Sequence, residues 1–434
     1  MVCNVTNSVM DKKALFKRVI MEFQENTLPE VIRRDLEVPR DSERVITVYG
    51  PRRAGKTFYM YQLINRLMRR VEKSRIIYFN LEDERLLPLD VKEMHLLIDA
   101  FYELFPEHRK GPVYLFLDEI QVVSGWEVFV RRLHEGRRFR IFLTGSSAKL
   151  LSREIATSLR GRTLAYRLTP LSFHEYLRFK EIPFDPETIR YSENRFPVIR
   201  AMEDYLEWGG YPEVVNADDE IALDILQNYF EMIVYRDIAD RFSLRNSSTL
   251  KNLLKYLLTN VSNLFSVNRY QGSLEPGMGA ARETLQEYLS FILETDILAL
   301  VPRFSFSLKV QEKNPKKVYA IDNGLRKATA FVFSKDAGRL AENLVFQKLS
   351  RSGFEIFYWK GKQEVDFIAR RRNEIWAVNV SYGDDIPDRE FTGFEDLATS
   401  DIRPNRRILV TKHADESNGD IEVMPLWLWL LEEK

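Results

Sequence analysis

Arg44-Val45-Ile46-Thr47-Val48-Tyr49-Gly50-Pro51-Arg52-Arg53-Ala54-Gly55-Lys56-Thr57 is the stretch that decides the fold of this chain. An apolar run too short for a helix meets the pattern G-x-x-x-x-G-K-T, and residues 58–67 then return to apolar spacing of helical period. Strand, glycine loop and helix in that order make a phosphate-binding loop. Gly50 and Gly55 let backbone N–H groups wrap around phosphate oxygens. Lys56 is placed to reach the β- and γ-phosphates, Thr57 to hold Mg²⁺. The helix that Phe58 continues points its N-terminus at the anion. Pro51, Arg52, Arg53 and Ala54 complete the loop, the two arginines adding positive charge beside the phosphates. The expected ligands are ATP and Mg²⁺.

A second run, Val113-Tyr114-Leu115-Phe116-Leu117, ends in Asp118-Glu119. It reads as a buried parallel strand, whose C-terminal end lies where ligands bind in a doubly wound sheet. Asp118 is then expected to hold Mg²⁺ through water, and Glu119 to deprotonate the attacking water. A third apolar run, Ile141-Phe142-Leu143, closes on Thr144-Gly145-Ser146-Ser147. Hydroxyls at a strand end can sense a γ-phosphate, so Thr144, Ser146 and Ser147 are candidates; a serine-capped strand-to-helix turn explains them equally well. Between Arg131 and Arg167 stand ten Lys/Arg against two Glu. From this basic region Arg160 or Arg162, with Arg153 nearby, could stabilise transition-state charge in a neighbouring subunit. Arg236 could act as a second phosphate sensor, or form a structural pair with Asp237.

The remaining composition sets limits. At 434 residues the chain has room for two or three domains, and 45% hydrophobic with 29% charged residues is the balance of a soluble globular protein. Net charge is zero, so a polyanion must be met by a local patch. A lone cysteine, Cys3, rules out an intrachain disulfide framework and fits a reducing cytoplasm. Five histidines show no zinc spacing. The charged N-terminus does not read as a signal peptide, and the apolar run 424–431 is far too short to span a membrane.

Alternating strands (44–49, 75–80, 112–117, 140–144, 163–168) and helices predict an α/β core with a parallel sheet over 1–168. A helical lid is expected over 169–247, opened by a capping box from Ser172 to Glu175. Residues 248–330 read as a winged helix: a helix at 248–260, a second at 264–270, a third at 280–294, and strands 297–304 and 317–321 paired as the wing. Arg269 and Arg282, with Lys309, Lys313, Lys316 and Lys317 near the wing, could contact nucleic-acid phosphates. The acidic residues Glu283 and Glu287 suit a protein partner equally. Residues 331–434, a helix at 340–350 and strands 354–359, 364–370 and 374–380, form a small α/β unit.

Taken together, Gly-Pro-Arg-Arg-Ala-Gly-Lys-Thr (50–57), Leu-Asp-Glu-Ile-Gln (117–121), Thr-Gly-Ser-Ser (144–147), Leu-Arg-Gly-Arg (159–162), Gly-Gly-Tyr-Pro-Glu (209–213), Tyr-Arg-Asp-Ile (235–238), Tyr-Ala-Ile-Asp-Asn-Gly-Leu (319–325) and Glu-Asn-Leu-Val-Phe (342–346) resemble a family of archaeal and bacterial AAA+-like ATPases. Tyr-Trp-Lys-Gly-Lys and Glu-Val-Asp-Phe (358–367) extend the resemblance over nearly the whole chain. It implies an ATPase core, a lid, a winged helix and a restriction-endonuclease-like C-terminal domain. Nucleases of that fold use a helical Glu, a strand Asp, and an acidic residue and Lys two apart on the next strand, around Mg²⁺. Glu342 and Asp366 match the first two, whereas the third position reads Ala377-Val378-Asn379. The leading expectation is an ATPase acting on DNA or RNA. Second comes an ATP-controlled protein-interaction module, and third an ATP-regulated nuclease with a degenerate site. Homo-oligomerisation is expected if the arginine acts between subunits.

Overall fold

The computed structural model describes residues 2–145, 161–244, 247–274, 280–329 and 337–432, with side chains from residue 12 onward. The chain divides into two units, Met1–Leu168 and Thr169–Lys434.

In the first unit β1 (Val45–Tyr49), β2 (Ile76–Asn80), β3 (Val113–Asp118), β4 (Phe139–Gly145) and β5 (Thr163–Arg167) each lie within one residue of the expected bounds. They pair in parallel, in the order β2-β3-β4-β1-β5. Strand period sends alternate side chains to opposite faces. Ile77, Phe79, Leu115, Leu117, Ile141 and Leu143 join one core with Phe16 and Ile20 of the helix Val2–Glu25 and with the helices His95–Leu104 and Trp126–Glu135. Their neighbours Ile46, Val48, Tyr78, Phe116 and Phe142 face the helix Lys56–Leu67, which buries Tyr59, Met60, Leu63, Ile64 and Leu67 at helical spacing. Burial of each such side chain contributes about 1.5–3 kcal/mol. Both faces of the central strands are covered, so β1 to β4 are mostly apolar, whereas the edge strand β5 is only half-buried and carries Thr163 and Arg167.

The second unit holds two sheets. The smaller, β6 (Leu264–Phe265), β7 (Leu298–Val301) and β8 (Lys316–Ala320), is antiparallel in the order β6-β8-β7 and packs with the helices Ser247–Thr259, Val267–Gly272 and Arg282–Glu294. One expectation is corrected here. Leu264 and Phe265 do not begin the second helix; they pair with Lys317 and Lys316 as a strand. The helix starts only after Ser266, whose hydroxyl accepts the Arg269 N–H and caps it. The larger sheet, β9 (Glu355–Lys360), β10 (Glu364–Arg371), β11 (Glu374–Ser381), β12 (Arg406–Thr411) and β13 (Ile421–Pro425), is antiparallel from β9 to β11 and parallel from β11 to β13. The helices Ala337–Arg351 and Leu426–Leu431 cover one face, and Arg389–Ala398 the other. The helices Phe173–Phe179 and Arg195–Trp208 share the core of that larger sheet, whereas Asp219–Met232 joins the core of the smaller one. The expected capping box is present: Ser172 N donates to Glu175 Oε2 at 2.9 Å, and Glu175 N to Ser172 Oγ at 3.1 Å.

Three motifs of the second unit meet one another. Buried Asp322 accepts from Gly210 N at 2.7 Å and Gly324 N at 2.8 Å. Asn323 donates to Leu206 O at 2.8 Å, and Asn343 donates to Asn323 Oδ1 at 2.7 Å and to Ala320 O at 3.0 Å. Residues 209–213, 319–325 and 342–346 are thus structural ties that satisfy buried backbone groups.

Candidate functional site: the phosphate loop and the strand ends beside it

The parallel order sets β4 next to β1 and β3 one strand further, so the loop leaving β1 opens at the same sheet edge as the C-terminal ends of both. At Gly50 a Cβ would stand 1.9 Å from the Leu168 carbonyl oxygen, so only glycine fits. Gly55 holds φ 90° at the start of the helix Lys56–Leu67, a left-handed turn that glycine adopts without strain. Pro51 and Ala54 are buried, and Arg53, Phe58 and its ring partner Tyr61 line the outer side. Arg52 pairs with Glu82 at 3.3 Å. Lys56 is 4% exposed; its Nζ donates to Gly50 O at 3.3 Å and Pro51 O at 3.1 Å, and lies 3.4 Å from Glu119 Oε1.

Asp118 closes the arrangement. It is fully buried, and three hydroxyls donate to it: Thr57 to Oδ2 at 2.6 Å, Tyr78 to Oδ2 at 3.0 Å, and Thr144 to Oδ1. Burial pushes its carboxyl above the usual range, against the pull of the Thr144 and Thr57 bonds. Thr144 Oγ1 also accepts the Glu119 N–H at 2.9 Å. Glu119 itself sits at φ 53°, ψ 49°, a left-handed conformation that costs a non-glycine residue roughly 1–3 kcal/mol. That turn lets Gln121 Nε2 donate to Glu119 Oε2 at 2.5 Å. Of the hydroxyl candidates at the end of β4, Thr144 joins the cluster.

Hard oxygen donors in this arrangement fit Mg²⁺, which takes one or two protein oxygens and fills its remaining positions with water and phosphate. Among the described residues no group of three or more His, Cys, Asp or Glu could hold a metal ion. That is compatible with a site whose protein ligands are one carboxylate and one hydroxyl.

Arg162 lies just before β5 and pairs with Glu135 at 3.3 Å, both about half exposed. Ser146, Ser147, Arg153 and Arg160 fall outside the described residues. Arg236 is exposed on the π-helical segment Ile233–Asp240 of the second unit. Two contributors escaped the sequence reading. Tyr78 reaches Asp118 because β2 pairs with β3 in the register Asn80↔Asp118. Arg34, in an extended segment before β1, donates through Nη1 to Ala54 O at 2.8 Å, while its backbone is clasped by Gln62. Along the chain Arg34 is one of two adjacent arginines among apolar and acidic residues, and nothing local singles it out.

A second correction concerns Lys317, expected near a nucleic-acid backbone. It is 4% exposed, and its ammonium meets Glu342, Glu364 and Asp366 instead. Among the described residues no helix is long and apolar enough to cross a membrane.

Comparison with known proteins fits this geometry. The family model described as AAA domain matches residues 42–177; two models described only as domains of unknown function match 199–336 and 337–429. An uncharacterized protein of Methanocaldococcus jannaschii is 35% identical, covering 98% of this chain and 97% of its own. An uncharacterized protein of Haemophilus influenzae is 30% identical over 95% and 99%. Among solved structures, Orc1 of Aeropyrum pernix in complex with DNA aligns over 73% of this chain and 90% of that one, at 14% identity and a TM-score of 0.29. With a phosphate loop on a five-stranded parallel sheet and near full-length relatives, the chain belongs to the AAA+-like P-loop ATPase family whose AAA domain is followed by domains of unknown function.

Proposed function

We propose that the chain hydrolyses ATP with Mg²⁺ at the loop 50–57 and couples the cycle to DNA or RNA. The observation that carries the hydrolytic reading is the cluster Thr57–Asp118–Thr144–Glu119 beside Lys56. Backbone N–H groups of the loop and Lys56 would bind the β- and γ-phosphates. Thr57 and Asp118 would hold Mg²⁺, which supplies charge neutralisation on the phosphates. Glu119, oriented by Gln121 and by the hydroxyl of Thr144 on its N–H, takes the proton of the attacking water. Arg162 gives up only a solvent-exposed pair with Glu135 if it turns to a neighbour's γ-phosphate, a small cost. Arg160 and Arg236 are the further candidates for that charge.

The nucleic-acid reading rests on the segment 247–320, whose order helix, strand, helix, helix, strand, strand follows that of a winged helix once the extra short helix Leu308–Lys313 between the last two strands is set aside. A cleft of about 390 Å³ there is lined by Asn268, Arg282, Gln286, Lys313 and Lys316, and Arg269 and Lys309 are exposed in the same segment. These side chains suit phosphate contacts. A protein partner is favoured by Phe306 and Leu308, 81% and 73% exposed between β7 and β8. ATPase rates with and without duplex DNA, across protein concentration, separate the readings. Stimulation that falls with salt and is lost when Arg269, Arg282 and Lys316 become Ala supports nucleic acid. A rate indifferent to DNA at low salt supports the protein partner.

A further inference from the structure

Lys317 projects from β8 to the second turn of the helix Ala337–Arg351 and to the start of β10. Its Nζ lies 2.8 Å from Glu364 Oε1, 2.9 Å from Asp366 Oδ1 and 3.0 Å from Glu342 Oε1. An ammonium has three donor hydrogens, and three carboxylates take them. The carboxylates have further partners, Asp366 and Glu364 on their second oxygens and Glu342 on the same oxygen that meets the ammonium. Tyr319 donates to Glu342 Oε1 at 2.6 Å, Val380 N to Asp366 Oδ2 at 3.0 Å, and Lys360 approaches Glu364 Oε2 at 3.2 Å. The cluster floors a cavity of about 670 Å³.

Glu342 and Asp366 are the positions at which a nuclease of the resembled fold would ligate Mg²⁺. Those residues do not fit the metal here. A unit positive charge already sits within 3.0 Å of one oxygen of each of the two carboxylates that would bind it. Nor does the third position restore the set: Asn379 turns its Oδ1 to the Asp366 N–H at 2.9 Å and its Nδ2 to Glu390 O at 3.0 Å. Lys317 cannot simply withdraw. Ala320, three residues along the same strand, is bonded in both directions by Asn343, at 2.8 and 3.0 Å, and the Tyr319 ring stacks on Phe346 at 4.6 Å. We infer that Lys317 is a built-in cation that replaces the divalent metal of this site, making the C-terminal sheet a metal-independent, non-cleaving module fastened to β8. A lysine supporting catalytic water would need a donor hydrogen facing the cavity, and all three are spent on carboxylates.

Mn²⁺ binding to the full chain without nucleotide, followed by electron paramagnetic resonance and by thermal melting, tests this. The isotherm of the natural protein should be unchanged by Asp366→Asn, because its Mn²⁺ binding does not involve that carboxylate. Lys317→Met should gain roughly tenfold or more in Mn²⁺ affinity, since an ammonium about 3 Å away no longer opposes the ion. Mn²⁺ should then raise its melting temperature, and Asp366→Asn in that background should erase both gains. Mn²⁺ binding by the natural protein that Asp366→Asn abolishes overturns the inference, whatever Lys317→Met does. So does a folded Lys317→Met protein that binds no additional Mn²⁺. Mn²⁺-dependent cutting of duplex DNA that is lost in Lys317→Met would instead make the lysine catalytic.

Discussion

Lys56 and Lys317 are both buried lysines beside acidic residues, and they differ in what their hydrogens do. Lys56 donates to two loop carbonyls and stands 3.4 Å from one carboxylate, while the neighbouring Asp118 is held by hydroxyls alone. Exchanging carbonyl contacts for phosphate oxygens needs little rearrangement, because a stronger acceptor replaces a weaker one. Lys317 makes three carboxylate contacts between 2.8 and 3.0 Å. Burial alone would lower its pKa, but Asp366, Tyr319, Glu342 and Glu364 together hold it well above its ordinary value. Burial and the adjacent Asp366 charge also push Glu342 up to about 7, so the cluster sheds part of its excess negative charge by keeping a proton near neutrality. One lysine is arranged for exchange, the other for permanence. The residue types are nearly the same; the partners decide.

The sharpest way to break this contrast is at its open end. Glu119→Gln keeps the loop and should still bind ATP, but turnover should fall by up to about 10⁴-fold. Equilibrium nucleotide binding measured beside phosphate release checks it, and a fully active variant would end the hydrolytic reading. At the closed end, Lys317→Met leaves buried carboxylates uncompensated and should cost roughly 3–5 kcal/mol in urea unfolding of the full chain. A change below about 1 kcal/mol would mean that the cluster is solvated like a surface pair.

Asp322 sharpens the comparison as a buried acid whose bonds come from backbone N–H groups rather than from a lysine. Burial raises it to about 6 against the bonds from Gly210 and Gly324. A raised carboxyl favours the folded state most when protonated. Its contribution is therefore complete below pH about 4 and lost as pH rises through about 6, by a few kcal/mol at most. Asp322→Asn should flatten the melting temperature of the full chain across that interval; an unchanged slope would assign the pH dependence elsewhere. The smallest effect concerns the loop's steric fit. Gly50→Ala forces a methyl onto the Leu168 carbonyl and should cost about 2 kcal/mol while weakening ATP binding. Unaltered binding would show that the backbone relaxes without consequence.

Much of the first unit was legible along the chain because its signals are local. Strand-length apolar runs, a glycine-rich loop and a helical period specify β1 and the helix Lys56–Leu67 without reference to anything distant. The pair Asp118-Glu119 stood out because it closes an apolar, strand-length run downstream of the phosphate loop. Tyr78 was invisible, since its contact with Asp118 depends on the pairing register of two strands separated by a helix. Leu264 and Phe265 were misread as helical because two apolar residues carry no period, and only their pairing with Lys316 and Lys317 makes them a strand.

By itself the sequence determined the phosphate loop, the parallel sheet behind it and the absence of a complete nuclease motif on β11. Tertiary structure alone decided the fate of Lys317. Read along the chain it is one lysine in a basic run, indistinguishable from Lys316 beside it. Strand alternation turns the two side chains to opposite faces, so that Lys316 lines a solvent-open cleft and Lys317 is buried against Glu342, Glu364 and Asp366. Charge is written in the sequence, but the desolvation and the partners that give a charge its role come only from long-range packing.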